Sequence, residues 1–342
     1  MRSLWITKHG GPNVLQIRET PDPTPKPNEV RIRVEACGLN FAELMARQGL
    51  YPDAPKPPCV VGYEGAGVID ARGAEVTDLE VGTRVMFMSR FGAMSDTVCV
   101  SRLQAVPIPE SMSFVDAAAI PVNYLTAHQL LFEVARIRSG DRVLVHMAAG
   151  GVGTAALQLC RSVPGVITIG TASAAKHGYV KEQGATHVID YRTQDYVAEV
   201  KRITQDEGVD FVLDALGGAD WKRGYSLLRE GGILLCFGFA NAAAPGKAHW
   251  FRAAGNFLAS PRFSPLTLMS DNRGVAGVNL GHMWHLLPMI QRGLLQCVAR
   301  YEDGTIKPHI DGTYSFEQST EAFGRLEHGK NLGKVVFLTR AQ

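Results

Sequence analysis

The run from Arg142 to Arg161 constrains this chain more than any other part of it. Arg142 to Met147 is an apolar strand, and Ala148-Ala149-Gly150-Gly151-Val152-Gly153 leads from it into a helix over Gly153 to Arg161. Set against the dinucleotide fingerprint, Ala148 stands at the first glycine, and Gly150 and Gly153 fill the other two places. Gly150 then lets backbone approach a pyrophosphate, and Gly153 permits close packing of helix on strand. The N–H groups of Gly151 and Val152 face the anion, helped by the helix dipole. The same residues also suit a tight strand–helix turn with no ligand. What favours the ligand is the context.

That context is a strand–helix alternation from about Asn123 onward. Val166 to Gly170, His187 to Asp190, Val209 to Asp214 and Ile233 to Phe237 read as strands. Helices are expected over Lys176 to Gln183 and Asp195 to Thr204. Such alternation implies a doubly wound parallel sheet with right-handed crossovers and helices on both faces. The uncharged run Val143 to Cys160 has the length of a membrane span, but glycines and His146 interrupt it, so it reads as strand, turn and helix. Before residue 122 the chain has short alternating runs such as Val30-Arg31-Ile32-Arg33-Val34-Glu35-Ala36, the period of half-buried strands in a small barrel or sandwich. After Ala299 the short strands return. The simplest layout is one domain of 1–122 with 299–342 and a second of 123–298, which suits 342 residues.

Composition removes several classes. With 35 basic and 33 acidic residues the chain has no electrostatic footprint for nucleic acid. The six cysteines lack metal-finger spacing and do not form a dense disulfide framework. The N-terminus lacks the apolar core of a secretion signal. A reduced, cytoplasmic protein is expected.

The choice of nucleotide depends on the residues just beyond the second strand. A 2′-hydroxyl site places an acid about 20 residues beyond the glycines. Here the chain reads Gly170-Thr171-Ala172-Ser173-Ala174-Ala175-Lys176-His177, and no acid occurs between Gly153 and Glu182. Ser173 and Lys176 suit a 2′-phosphate instead, with Tyr191 at the end of the next strand. The expected cofactor is NADP(H) rather than NAD(H).

These residues resemble a known family. Gly62-Tyr63-Glu64-Gly65-Ala66-Gly67-Val68, Val81-Gly82-Thr83-Arg84-Val85 and Pro121-Val122-Asn123-Tyr124-Leu125-Thr126-Ala127 resemble segments of the medium-chain dehydrogenase/reductase superfamily. Val145 to Gly153, Gly170 to Ser173 and Ile306 to Asp311 resemble its quinone oxidoreductases, in particular the vesicle amine transport protein branch. The resemblance implies a GroES-like β-barrel catalytic domain, a Rossmann domain, NADPH and a homodimer. Zinc-dependent members carry Cys where Asn40 stands and His where Tyr63 stands, and their third ligand falls at Val122. Only Glu64 of a ligand set is left, so no metal is expected.

Without a Lewis acid the chemistry rests on placing reactants and excluding water. A hydride would pass from NADPH to a quinone, or to the β-carbon of an enone, and the oxygen that gains charge needs donors. Asn40 and Tyr51 are the polar candidates on first-domain loops that the resemblance places around this cleft; Tyr51 would give a proton, give a hydrogen bond, or only pack on Pro52. The resemblance also implies that Asn123 and Thr126 face the nicotinamide end. It places Thr171, Phe237, Phe239, Val278 and Asn331 beside the cofactor.

One segment stands apart. Residues 247–269 hold Trp250, Phe251, Phe257, Leu258, Phe263, Leu266 and Leu268, with Lys247, Arg252 and Arg262 and no acid. A dimer contact, a lid over an apolar cleft and a weak contact with an anionic membrane all suit it. The resemblance to the vesicle amine transport protein branch leaves open a nucleotide-binding protein whose association with a membrane or partner matters more than turnover.

Overall fold

In a computed structural model the described residues are 1–243 and 250–340; Lys247 and the Trp250 side chain lie outside them. The chain forms two compact units. The first takes residues 1–125 together with the chain from Leu280 onward, and the second takes 126–243 with 250–279.

The first unit is built on the long strand Glu29–Leu39. Its alternation turns Val30, Ile32 and Val34 inward, all fully buried. One edge pairs antiparallel with Glu64–Arg72. The other edge takes Thr97–Ser101 along its first half and Lys334–Leu338 along its second half. The sheet continues through Arg84–Met88 to Ala105–Pro107, and Ile310–Tyr314 closes its other side. The helix Phe41–Gln48 comes directly after the long strand and stops at Gly49, whose backbone is left-handed at φ 75°.

The C-terminal return begins earlier than residue 299. The helix Leu287–Glu302 packs on the turn Arg102–Gln104 and the strand Ala105–Pro107. It turns Ile290, Gly293, Leu294 and Cys297 inward, and Tyr301 donates to Asp116 at 2.8 Å. The expected boundary at 298 leaves most of this helix in the second domain, and its packing assigns it to the first unit.

The second unit is a six-stranded parallel sheet. Its order is His187–Asp190, Ile167–Ala172, Arg142–Val145, Val209–Asp214, Leu228–Cys236, Gly274–Gly277. In chain order that is 3-2-1-4-5-6, the doubly wound arrangement. The order reverses between Arg142–Val145 and Val209–Asp214, and ligands of such sheets bind outside the carboxyl ends at that point. The expected helix over Lys176 to Gln183 is a 3₁₀ turn, Ala174–Lys176, and then the α-helix His177–Glu182. Asp195 caps the next helix, Tyr196–Thr204, by accepting from the Val197 N–H at 3.0 Å.

Candidate active site

At the switch point the strand Arg142–Val145 runs into the helix Gly151–Arg161 through the expected turn. The left-handed bend falls on Met147, at φ 51°, and not on a glycine. Gly153 packs against that bend: a Cβ there would lie 2.7 Å from the Ala148 Cα and also overlap the Met147 carbonyl oxygen. Gly150 is freer, its nearest obstacle being the same oxygen at 3.2 Å. Gly150 is the N-cap residue, so the N–H groups of Gly151, Val152 and Gly153 open the helix. The first N–H groups of a helix have no partner within it. Gly170 is a further requirement that the fingerprint omits, since its missing side chain makes room for the Ala148 Cβ at 2.9 Å.

The two strands beyond the glycines end in register. Ala172 pairs with Asp190, so Ser173 and Lys176 leave one strand end and Tyr191 leaves the neighbouring one. Tyr191 is exposed. The one acid at these ends is committed elsewhere. Asp190 accepts from the Arg192 N–H at 3.1 Å and the Thr193 hydroxyl at 2.9 Å. Those two bonds hold its carboxyl below the usual range. His177 contacts the Ala172 carbonyl at 3.2 Å and closes the first turn.

Other expected contacts are tied into the sheet end. The Thr171 hydroxyl meets Nδ1 of His146 at 3.1 Å, beneath the glycine turn. His146 is buried, lies edge-on to Tyr196 at 4.8 Å, and has its pKa pushed down by burial. Phe237 donates its N–H to the Asp214 carbonyl at 3.0 Å. Phe239 packs on Trp221 at 5.6 Å and covers Gly217. The Val278 N–H donates to Cys236 at 2.9 Å just after the edge strand.

In the first unit, Asn40 is the N-cap of the helix Phe41–Gln48 and is almost fully buried. Its Nδ2 donates to Glu64 at 2.8 Å, and its Oδ1 accepts from Lys334 at 2.5 Å. Lys334 also forms an ion pair with Glu64, and both are buried. Tyr51 is partly buried and stands edge-on to Tyr63 at 6.3 Å; Tyr63 in turn packs on Phe91 at 5.2 Å. Burial raises the Tyr51 hydroxyl above its ordinary range. Asn123 is buried, and its Nδ2 donates to Ala119 at 3.4 Å. Thr126 lies on the same helix, Pro121–His128, and is also buried. Asn331 braces the turn before Lys334–Leu338 by donating to the Gly333 carbonyl at 3.1 Å.

Two stretches of the chain match known families. Residues 26–110 match the alcohol dehydrogenase GroES-like domain, and residues 183–337 match the family described as zinc-binding dehydrogenase. The chain is 44% identical over 339 residues to the synaptic vesicle membrane protein VAT-1 homolog of Danio rerio, covering 99% of this chain and 70% of that one. This chain belongs to the medium-chain dehydrogenase/reductase superfamily, among its VAT-1 homologues. The fold of this superfamily member is also that of an Escherichia coli quinone oxidoreductase complexed with NADPH, at TM-score 0.87 and 28% identity, covering 99% of this chain and 100% of that one. A CurK enoyl reductase matches at TM-score 0.85 and 27% identity, covering 98% of each chain. The expected fold, a GroES-like domain with a Rossmann-type sheet, is the one found.

Zinc does not fit this member of the superfamily. At the three positions in question stand an amide, a phenol and Val122, which offers only its backbone N–H, donated to Glu64 at 2.7 Å. Glu64, the carboxylate bonded to Asn40 and Val122, already carries the Lys334 ammonium. Among the described residues no group of three His, Cys, Asp or Glu side chains is placed to hold a metal. The Glu64–Lys334 pair escaped sequence reading, because its members lie 270 residues apart and only strand register joins them.

Proposed function

We propose that this chain is a zinc-independent oxidoreductase that binds NADP(H) and delivers its hydride to a quinone. The observation that carries the reading is the pairing of Ala172 with Asp190. It sets Ser173, Lys176 and Tyr191 at adjacent strand ends, while the Asp190 carboxylate closes on its own turn. A ribose 2′-hydroxyl needs a free acceptor there, and a 2′-phosphate needs donors and a cation.

In the second unit, Gly150, Gly151, Val152 and Gly153 would hold the pyrophosphate, and Thr171, Phe237, Phe239 and Val278 would line the cofactor. In the first unit, Asn123 and Asn331 are the proposed contacts, with Thr126 on the continuing helix. Bound NADPH supplies a hydride equivalent. The chain supplies Asn40 as a hydrogen-bond donor to the acceptor oxygen and Tyr51 as a second donor or proton source. An enone or enal makes the same demands, and the likeness to an enoyl reductase supports that substrate class as the alternative. Oxidation of NADPH and NADH, each monitored with a panel of quinones and enones, tests the reading. NADPH turnover on quinones with little from NADH is the expected result. Equal use of NADH, or no turnover on any acceptor, would overturn it.

A specific observation favours association as a second property. The helices Trp250–Ala259 and Pro265–Asp271 expose Phe251, Phe257, Leu258, Leu266 and Met269, and they precede the sheet-edge strand Gly274–Gly277. Phe263 and Leu268 of the same segment instead pack on the second unit's core. A homodimer covering this face is the proposed occupant, and weak peripheral contact with an anionic membrane is the competing one. Among the described residues no helix is long and apolar enough to cross a membrane. Sedimentation at low concentration, beside flotation with anionic vesicles, separates the two.

A further inference from the structure

Three segments of the first unit are tied to one buried carboxylate. Glu64 is fully buried at the start of its strand. Its Oε1 accepts from Asn40 Nδ2 at 2.8 Å and from the Lys334 ammonium. Its Oε2 accepts from the Val122 N–H at 2.7 Å. Lys334 in turn donates to Asn40 Oδ1 at 2.5 Å, closing a triangle. Room for the triangle is reserved by Gly38. A Cβ there would lie 2.6 Å from Glu64 Oε1, 2.6 Å from the Lys334 Cε and 2.8 Å from the Ala118 carbonyl oxygen.

Each arm leads to a proposed contact. Asn40 opens the helix Phe41–Gln48. Val122 lies in the first turn of Pro121–His128, which carries Asn123 and Thr126. Lys334 opens the strand just after the Asn331 turn. The chemistry of the triangle also fixes which way the Asn40 amide points. An ammonium only donates and a carboxylate only accepts, so Oδ1 must face Lys334 and Nδ2 must face Glu64. The second Nδ2 hydrogen is then Asn40's remaining side-chain donor.

We propose that Lys334 and Glu64 are positioning residues: together they orient the Asn40 amide for the acceptor oxygen and set the Val122 helix and the Asn331 turn against it. The inference rests on the NADP(H) reading above. It assigns the fixed positive charge of this site to a lysine anchored in the C-terminal strand. Glu43 is part of the same arrangement, since it accepts from the Asn40 N–H at 2.9 Å and has its own pKa raised to about 8, chiefly by burial.

The test uses the full chain and three variants: Lys334→Met, Lys334→Arg and Gly38→Ala. Each is titrated with NADPH while the emission of the reduced nicotinamide is recorded, and each is then assayed with a quinone. The 2′-phosphate and pyrophosphate contacts belong to the second unit, so Lys334→Met should keep NADPH affinity within about threefold of the parent. The emission change of the bound nicotinamide should shrink, and kcat should fall about tenfold or more, with KM for NADPH little altered. Lys334→Arg keeps the charge and should restore much of both signals. Gly38→Ala keeps every charge and displaces the pair, so it should reproduce the Lys334→Met signature even if that variant fails to fold. A folded Lys334→Met or Gly38→Ala protein with parental emission and kcat would sink the proposal. If the parent chain itself binds no NADPH, the NADP(H) reading is what fails.

Discussion

The carbonyl oxygen of Met147 occupies the space that a side chain on Gly153 would need. Met147 turns that oxygen there by taking a left-handed backbone, so the turn is set by a non-glycine residue and accommodated by a glycine six positions on. The three nearest obstacles to a Cβ at Gly153 are all backbone atoms, which cannot move without shifting the strand. Gly153→Ala should therefore cost about 1–3 kcal/mol in a urea titration and also abolish tight NADPH binding. Gly150→Ala meets only one oxygen, at 3.2 Å, and should leave stability nearly unchanged while weakening NADPH. Matching losses of stability in the two variants would contradict this division of roles.

Lys176 is the cation of the proposed 2′-phosphate pocket. A charge-assisted hydrogen bond is worth about 1.5–3 kcal/mol, so Lys176→Ala should raise the Kd for NADPH about tenfold or more. NADH, which has no 2′-phosphate, should bind as before. Ser173→Ala should act in the same sense and more weakly. Calorimetry with both nucleotides checks the pair, and parallel losses for NADH and NADPH would count against the pocket.

Periodicity made most of the fold legible. Alternation in Val30 to Ala36 gave the barrel strand, and the strand–helix rhythm gave the parallel sheet. The glycine turn was legible because its signals are local: glycines at fixed spacing between an apolar strand and a helix. Contacts set by long-range register were not. Lys334 reaches Glu64 only because Lys334–Leu338 pairs antiparallel with Glu29–Leu39. In the same way, composition marked the 247–269 segment as apolar, but only packing separates Phe263, which lies 4.9 Å from Tyr225, from the exposed Phe257.

Glu43 gives the protein a defined pH response. Its pKa is raised from 4.5 to about 8, chiefly by burial, so between those values the folded chain holds a proton that the unfolded chain has lost. Stability must then fall as pH rises through that window, and this contribution levels off above about 8. Glu43→Gln keeps an acceptor for the Asn40 N–H and removes the titration. The unfolding free energy of the variant relative to the parent should improve steadily from pH 5 to about 8. A difference that is flat with pH would refute the assignment.

A second buried pair gives a prediction of opposite character. Arg47 donates to Glu327 at 2.8 Å with both side chains essentially inaccessible, and its guanidinium lies 5.4 Å from the Phe323 ring. Glu327→Ala leaves a buried cation without its counter-ion and should cost about 3–5 kcal/mol. Replacing both partners by apolar residues of similar volume, Arg47→Met with Glu327→Leu, should recover most of that loss. Urea unfolding of the parent, of Arg47→Met and Glu327→Leu singly and of the double variant measures the coupling, and additive losses would show that the charges do not compensate each other.

The exposed helices predict a separation of stability from association. Phe251 is 96% exposed and Leu258 83% exposed, so neither contributes appreciably to the core. Substitutions at such sites usually change stability by no more than about 0.5 kcal/mol. Phe251→Ser with Leu258→Ser should therefore leave the thermal midpoint and NADPH affinity unchanged. If a second copy of the chain covers this face, the same change should shift the sedimentation profile from dimer to monomer. If an anionic membrane covers it, flotation with vesicles should be lost and the sedimentation profile kept. A double variant that unfolds at a markedly lower temperature while its sedimentation and flotation profiles match the parent's would show that the face is packed within its own chain, and both association readings would fall together.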